Sequence, residues 1–472
     1  MHTKYLKTNG VKLYLNSRKF PYSCFPKYIL MKYLFSFFLL FVFSVSFSQP
    51  LVLTQRDQAR VIDELLDDRL RTVLPGLMRR EGFDMWVIIS REYNEDPVIR
   101  TFLPATWHAA RRTTMLIAFD RGADKEMEYL AVARYDVGKM FKRAWDPDAN
   151  PDQWAQLGKI ISERNPKKIG VNKAPSWGHA DGLTSNDYDN LIKVLPKNLQ
   201  PKVTSAEKLA VSWLETRTEK EMAIYQQICR IAHDIIQEGF SDKVIQPGVT
   251  TTEDVVWWYR ERIKELKLDT WFHPSVSIQR NEADALMAKR PQPLVIQPGD
   301  FIHVDFGITY LRLNTDTQQH AYLLKAGETE VPAYLKNAFT KGNRLQDLLT
   351  NNYKLGRTGN EILKATREQA IAEGITPSIY THPIGFHGHA AGTTVGMWDM
   401  QGGVPFTGDY PLHYNTAYSI ELNCTVNIPE WKKDIRIQLE EDGFFDETGF
   451  RYIDGRQKEI ITIPKMGGIN RQ

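Results

Sequence analysis

The chain has 472 residues with 60 basic and 57 acidic side chains, a formal charge of +3, 42% hydrophobic residues and three cysteines. Residues 1–48 hold seven of the basic residues and no acid, so without them the balance is 53 basic against 57 acidic, or −4. The alkaline character therefore belongs to that leader, no basic stripe points to nucleic acid, and the remaining length of about 424 residues predicts two domains rather than one core.

Residues 1–30 are basic and pattern-free and are expected to be an over-extended start of translation without a fold. From Met31 the string MKYLFSFFLLFVFSVSFSQP sets one lysine before an uncharged apolar run, with small residues at Ser46 and Ser48. That is the order of a secretory signal, and the run is short for a membrane span. The sequence predicts a signal over about 31–48, cleavage after Ser48, a periplasmic or secreted mature protein and no stable membrane insertion after cleavage; a retained anchor is the alternative. Cys24 leaves with this segment. Cys229 falls in a helical pattern and Cys424 in a strand pattern, which argues against their pairing.

Residues 49–205 read as an α/β domain. Val61, Leu65, Leu66, Leu70 and Leu74 recur at helical spacing across Gln55–Glu81, and FDMWVIIS, TTMLIAFD and MEYLAVAR follow as strands. A helix around Trp154–Arg164 and a strand in KKIGVN complete the alternation. LPKNLQPKVTSAEKL, rich in proline and lysine, reads as a passage into a second domain at 206–472.

There, TEKEMAIYQQICRIAHDIIQEGF is an amphipathic helix, and PGVTTEDVVWWYRERIKEL is a second helix with Thr251 or Thr252 as N-cap. FIHVDFGITYL and the stretch around Asp316 alternate as antiparallel strands. Asp305 and Asp316 are eleven positions apart, roughly 36 Å along a straight strand, so only a turn could bring them together; Asn314 and Thr315 hint at it. Two helices are expected between Val331 and Glu373, the second opened by Thr358 or Asn360. A glycine-rich segment carrying His382, His387 and His389 follows, then strands at AYSIELNCTV and DIRIQLEED. In the last, Ile435, Ile437, Leu439 and Glu441 share one face and Arg436, Gln438 and Glu440 the other, so Glu440 rather than Glu441 joins a polar cluster.

Asp305, Asp316, His382, Glu421 and Glu440 together have the composition of a two-metal site. Four carboxylates in a partly dry pocket stay ionised only if cations neutralise them, and one imidazole among them suits borderline-hard divalent metals. Taken singly, each has a duller explanation: a turn aspartate, a satisfied histidine, an exposed strand glutamate.

Their joint order carries a resemblance. VDFG with a second aspartate eleven residues on, HPIGFHGH with histidines seven apart, SIELN and RIQLEED resemble the M24 metallopeptidase family of methionine aminopeptidases, aminopeptidase P, prolidases and creatinase. The resemblance implies an α+β chain: a C-terminal pita-bread domain, covered by the motifs over roughly 210–465, preceded by a creatinase-like α/β domain. It implies two divalent ions, manganese foremost, with zinc, cobalt or iron acceptable. Asp305 would serve one ion, His382 and Glu421 the other, and Asp316 and Glu440 would bridge them. Glu421 would relay a proton and His389 would contact substrate, both as catalytic residues. Arg436 would stand behind the cluster as partner to a carboxylate. His387 and His320 have no such support and read as ordinary.

Two departures bear on substrate. The stretch NEADALMAKRPQP has no histidine where peptidase members usually carry one, and Asp316 is followed by Thr317, Gln318 and Gln319 where the proline-peptidase branch often shows a threonine–arginine pair. The leading expectation is a dinuclear metallopeptidase of the Xaa-Pro aminopeptidase or dipeptidase type, with a peptide as substrate and, because family members are commonly oligomers, a homodimer as the candidate assembly. The alternatives are a metal-dependent hydrolase or lyase of a small non-peptide compound on this fold, and a non-catalytic binding protein.

Overall fold

Six consecutive buried residues in Met85–Arg91 form the central strand β1. The structure, a computed structural model, describes residues 52–281 and 294–464; the expected leader at 1–48 and residues 282–293 of the histidine-free stretch lie outside these. β1 pairs antiparallel with β2 (Thr113–Phe119) and parallel with β5 (Ile169–Val171). With β3 (Glu128–Val132), β4 (Lys142–Arg143) and β6 (Val203–Ser205) the order is β4-β3-β2-β1-β5-β6. Both faces of β1 are covered, which is why it reads as a continuous apolar run. Met85, Val87 and Ile89 pack with Leu157 and Leu191 of helices Gln153–Arg164 and Ser185–Val194. Trp86 and Ile88 pack instead with Leu66, Leu70 and Leu77.

Two expectations in this part need correction. The helical pattern over Gln55–Glu81 is two helices, Gln55–Thr72 and Leu74–Arg80. Pro75 lies in the first turn of the second helix, where its missing N–H is tolerated, and in a continuous helix it would break the ladder. The proline-rich stretch after Val194 is not a bare passage. It supplies β6 at the sheet edge and helix Glu207–Glu215, in which Leu209–Glu215 are all buried.

The later part has two similar helix-and-sheet halves. Helices Glu219–Gly239 and Thr252–Glu265 back a sheet ordered β19-β11-β8-β7: Ile461–Ile463, Thr317–Leu323, Phe301–Phe306 and Ser275–Gln279. Helices Ala333–Thr350 and Gly359–Ala372 back β12 (Thr376–Ile379), β15 (Leu422–Ile428) and β16 (Lys433–Leu439). Thr218, Thr251 and Thr358 cap three of these helices in reciprocal boxes with Glu221, Asp254 and Glu361, satisfying N–H groups that the first helical turn leaves unpaired. A further sheet joins β13 (His382–Pro383), β14 (Thr416–Ser419), β17 (Asp442–Asp446) and β18 (Gly449–Tyr452). The mixed α+β architecture agrees with the sequence. Cys229 and Cys424 are both free and buried. Among the described residues no helix is long and apolar enough to cross a membrane.

The turn between Asp305 and Asp316 lies earlier than Asn314–Thr315. β9 (Thr309–Tyr310) and β10 (Leu313–Asn314) pair as a hairpin whose two loop residues, Leu311 and Arg312, have φ of +53° and +65°. Two left-handed residues are the geometry of a type I′ turn, which normally uses asparagine and glycine. Here Arg312 donates Nη1–H to the Leu103 carbonyl at 2.6 Å and Nη2–H to that of Pro104 at 3.1 Å, so a tertiary contact holds what the local sequence does not favour.

Arg69 and Arg217 are buried together around one acid. Arg69 Nη1 is 2.8 Å and Arg217 Nη1 3.2 Å from the two oxygens of Glu221, and both guanidinium groups lie over Phe386, at 4.9 and 4.6 Å from its ring centre. The first helix, the start of helix Glu219–Gly239 and the HPIGFHGH loop are thereby tied at one point. Glu221→Ala would strand two buried cations, and we expect it to lower the unfolding free energy by about 3–5 kcal/mol in urea denaturation. A loss below about 1 kcal/mol, the range of an exposed ion pair, would contradict this account of the junction.

Candidate metal centre

Three segments change sheet at one level. Residues 376–383 leave the β12 sheet and enter β13 across Tyr380–Thr381. Residues 416–428 pass from β14 to β15 at Ile420–Glu421, and residues 433–446 pass from β16 to β17 at Glu440–Glu441. The breaks are stitched to one another by backbone bonds: Tyr380 N–H donates to the Glu421 carbonyl and Ile420 N–H to that of Glu441, each at 3.0 Å. Gln318 N–H of β11 donates to the Glu440 carbonyl, also at 3.0 Å. Backbone groups freed by the interruptions are thus satisfied, and each interruption turns a polar side chain into the gap.

The structure brings Asp305, Asp316, His382, Glu421 and Glu440 together. Ligand atoms of Asp305, Asp316 and Glu440 lie within 4.8 Å of one another, as do those of His382, Glu421 and Glu440. A third group joins Asp316, His382 and His389. His382 Nε2 is 3.7 Å from Asp316 Oδ2 and 3.7 Å from Glu440 Oε1. Asp316, His382 and Glu440 are buried, and Asp305 and Glu421 are partly so.

The donor chemistry of this cluster fits cations. His382 Nδ1 lies 3.0 Å from the Pro383 carbonyl, which can only accept, so Nδ1 carries a hydrogen and, in the neutral ring, Nε2 presents a lone pair to two carboxylates. Nε2, Asp305 Oδ1 and Asp316 Oδ1 are buried with no hydrogen-bond partner. Acceptors facing acceptors in a dry pocket repel unless positive charge lies between them. Burial, with the Glu440 charge beside them, pushes the carboxyls of Asp305, Asp316 and Glu421 well above the ordinary range.

Strand parity separates the two neighbouring glutamates as the alternation predicts. Glu440 Oε1 accepts from Ser419 Oγ at 2.6 Å. Glu441 turns away, toward His233 Nε2 at 2.7 Å and Gln319 Nε2 at 3.0 Å. Arg436 does not stand behind the cluster. Its side chain is exposed, its backbone N–H and carbonyl bond the Gln279 side chain, and among the described residues it pairs with no carboxylate. It shares the face of Glu440, but four strand positions are roughly 13 Å. The groups in that place are Gln318, Ser419 and Asp442, whose carboxylate accepts the Asp316 N–H at 3.3 Å. Sequence reasoning missed them, and no motif signals them.

At the rim, His389 is exposed, with its ring 4.7 Å from that of His382 and 5.1 Å from that of Trp271. Partial desolvation of its ring, aided by the nearby His382, brings His389 down to about 4, so it is neutral at pH 7. A Cβ at Gly388 would meet Trp271 at 2.2 Å, so glycine lets the indole lie over this loop. The His387 ring lies 4.6 Å from that of His179, while His320 is a core histidine stacked on Phe301.

Ion binding must displace protons from carboxyls whose folded-state values are raised. Without ions, stability gained from those protons is full below the ordinary carboxylate range and declines as pH rises; ion affinity therefore rises with pH. We expect Mn(II) to raise the melting temperature of chelator-treated protein more at pH 7.5 than at pH 5.5. Arg436→Ala should keep this shift and Glu440→Ala should lose it. No shift, or one larger at pH 5.5, would contradict the arrangement.

Residues 223–443 match the family model described as metallopeptidase family M24. No curated protein matches the chain in sequence. Among solved structures, the X-Pro aminopeptidase of Thermotoga maritima superimposes with a TM-score of 0.58 at 16% identity, covering 82% of this chain and 99% of that one. The Xaa-Pro dipeptidase of Bacillus anthracis gives 0.52 at 17%, covering 87% and 100%. The dipeptidase of Pyrococcus horikoshii gives 0.53 at 17%, covering 84% and 99%. At these identities the likeness is one of fold: the chain has the pita-bread fold, and its residues 223–443 match metallopeptidase family M24.

Proposed function

We propose that this protein is an exported, dinuclear metal-dependent peptidase that cleaves near the N-terminus of a peptide, at an Xaa-Pro bond. The observation that carries the reading is the convergence of four carboxylates and one imidazole with three buried acceptor atoms facing one another unpaired. Asp305, Asp316 and Glu440 would hold one ion, and His382, Glu421 and Glu440 the other, with Asp316 beside both. Oxygen donors with a single imidazole suit manganese. The printed functions of the solved neighbours support the Xaa-Pro assignment, and the signal-like segment at 31–48 supports export.

When bound, paired divalent ions lower the pKa of a water between them and polarise a scissile carbonyl. The chain's own residues supply the rest. Glu421, only partly buried, takes the proton of the attacking water and passes it to the leaving amine. His389, neutral and exposed at the rim, donates an N–H to the developing oxyanion. Trp271 and Tyr380, flanking His389, wall the approach.

A metal-dependent hydrolase or lyase of a small non-peptide compound is the second reading. Gln318–Gln319 in place of threonine–arginine and the histidine-free stretch at 281–293 favour it. Protein beginning at residue 49 should hydrolyse Xaa-Pro dipeptides or longer Xaa-Pro peptides with manganese and not after chelation. Asp316→Ala should lower kcat/KM by more than the roughly 10- to 100-fold that loss of an outer metal partner costs. Bound metal without peptide turnover would favour the second reading, and activity unaffected by Asp316→Ala would contradict both.

A further inference from the structure

Strand β11 sends successive side chains to opposite faces, and its two glutamines use this alternation. Gln319 turns toward Glu441. Gln318 turns toward the metal carboxylates, and its Nε2 donates to Glu421 Oε1 at 3.0 Å and to Glu440 Oε2 at 2.6 Å. Both amide hydrogens are thus spent on carboxylates, which only accept, so the amide orientation is determined by its partners. Its Oε1 lies 2.9 Å from His303 Nε2, which must carry the hydrogen. His303 Nδ1 faces Ser277 Oγ of the neighbouring strand at 3.4 Å. Ser277, His303 and Gln318 thus form one hydrogen-bonded relay that ends on the two glutamates.

Glu421 and Glu440 reach the centre from different sheet crossovers, and no described side chain other than Gln318 is hydrogen-bonded to both. Four ionised carboxylates and two divalent ions balance in charge. An arginine or lysine in this place would compete with the ions for the carboxylate oxygens; an amide holds the same oxygens without adding charge.

We propose that Gln318 is the positioning residue of the metal centre: its amide, fixed by His303, sets the spacing and rotation of Glu421 and Glu440 through one oxygen of each, and their remaining lone pairs stay open to the ions. This rests on the two-metal reading given under Proposed function. The test is calorimetric titration of metal-free protein with Mn(II) alone, with the visible spectrum of the Co(II)-loaded protein as a second readout. Gln318→Met keeps the length of the side chain and removes both donors. It should leave the circular dichroism and metal-free melting temperature close to wild type, weaken at least one ion about 10- to 100-fold and change the Co(II) spectrum. Wild-type binding of two ions with unaltered affinity and spectrum in Gln318→Met would overturn this proposal alone. No Mn(II) binding by the wild type would overturn it together with the two-metal reading. Should Gln318→Met fail to fold, His303→Leu decides, because it leaves Gln318 and every ligand in place but frees the amide to turn. A loss of about tenfold supports the proposal, and unchanged affinity overturns it.

Discussion

Mutual repulsion among Asp305, Asp316, Glu421 and Glu440 is the constraint around which this part of the molecule is organised. Two unit charges about 5 Å apart at an effective dielectric of about 20 repel by about 3 kcal/mol. A fully ionised quartet would therefore consume a stability of the size a whole domain possesses, about 5–15 kcal/mol. Either protons or cations must neutralise it. Protons leave His382 Nε2 and the unpaired oxygens of Asp305 and Asp316 without partners, whereas cations satisfy all of them at once.

The fold meets this constraint by interrupting its strands. An unbroken strand would carry its side chains alternately up and down along one sheet. A break at Tyr380–Thr381, Ile420–Glu421 and Glu440–Glu441 lets three segments each aim one ligand into the same gap while their ends stay paired in separate sheets. The two helix pairs, with Ile302 and Val304 packed on one side and Ile437 and Leu439 on the other, keep the halves rigid around it. The Arg69–Glu221–Arg217 cluster ties the preceding α/β part to Phe386, four residues beyond His382, so the wall of the cleft depends on residues far earlier in the chain.

Much of this was legible in the sequence because it is written in local patterns. Alternation in DIRIQLEED separates Glu440 from Glu441, capping residues mark the helix starts, and the motif order brings five distant residues under one hypothesis. What was not legible depends on partners far along the chain. Leu311–Arg312 turns without glycine or asparagine because Arg312 is anchored to Leu103 and Pro104. Arg436 has the right face and the wrong distance. Gln318 and Asp442 act through side-chain hydrogen bonds that no spacing announces, and the split of the first helix follows from one proline that a periodic apolar pattern conceals.

The central claim is that five side chains converge on a pair of ions, and anomalous diffraction at the manganese edge from crystals grown with Mn(II) tests it most directly. The account predicts two anomalous peaks about 3.5–4 Å apart, both within coordinating distance of Glu440, one beside Asp305 and the other beside His382 and Glu421. A single peak, or peaks away from these residues, would contradict it.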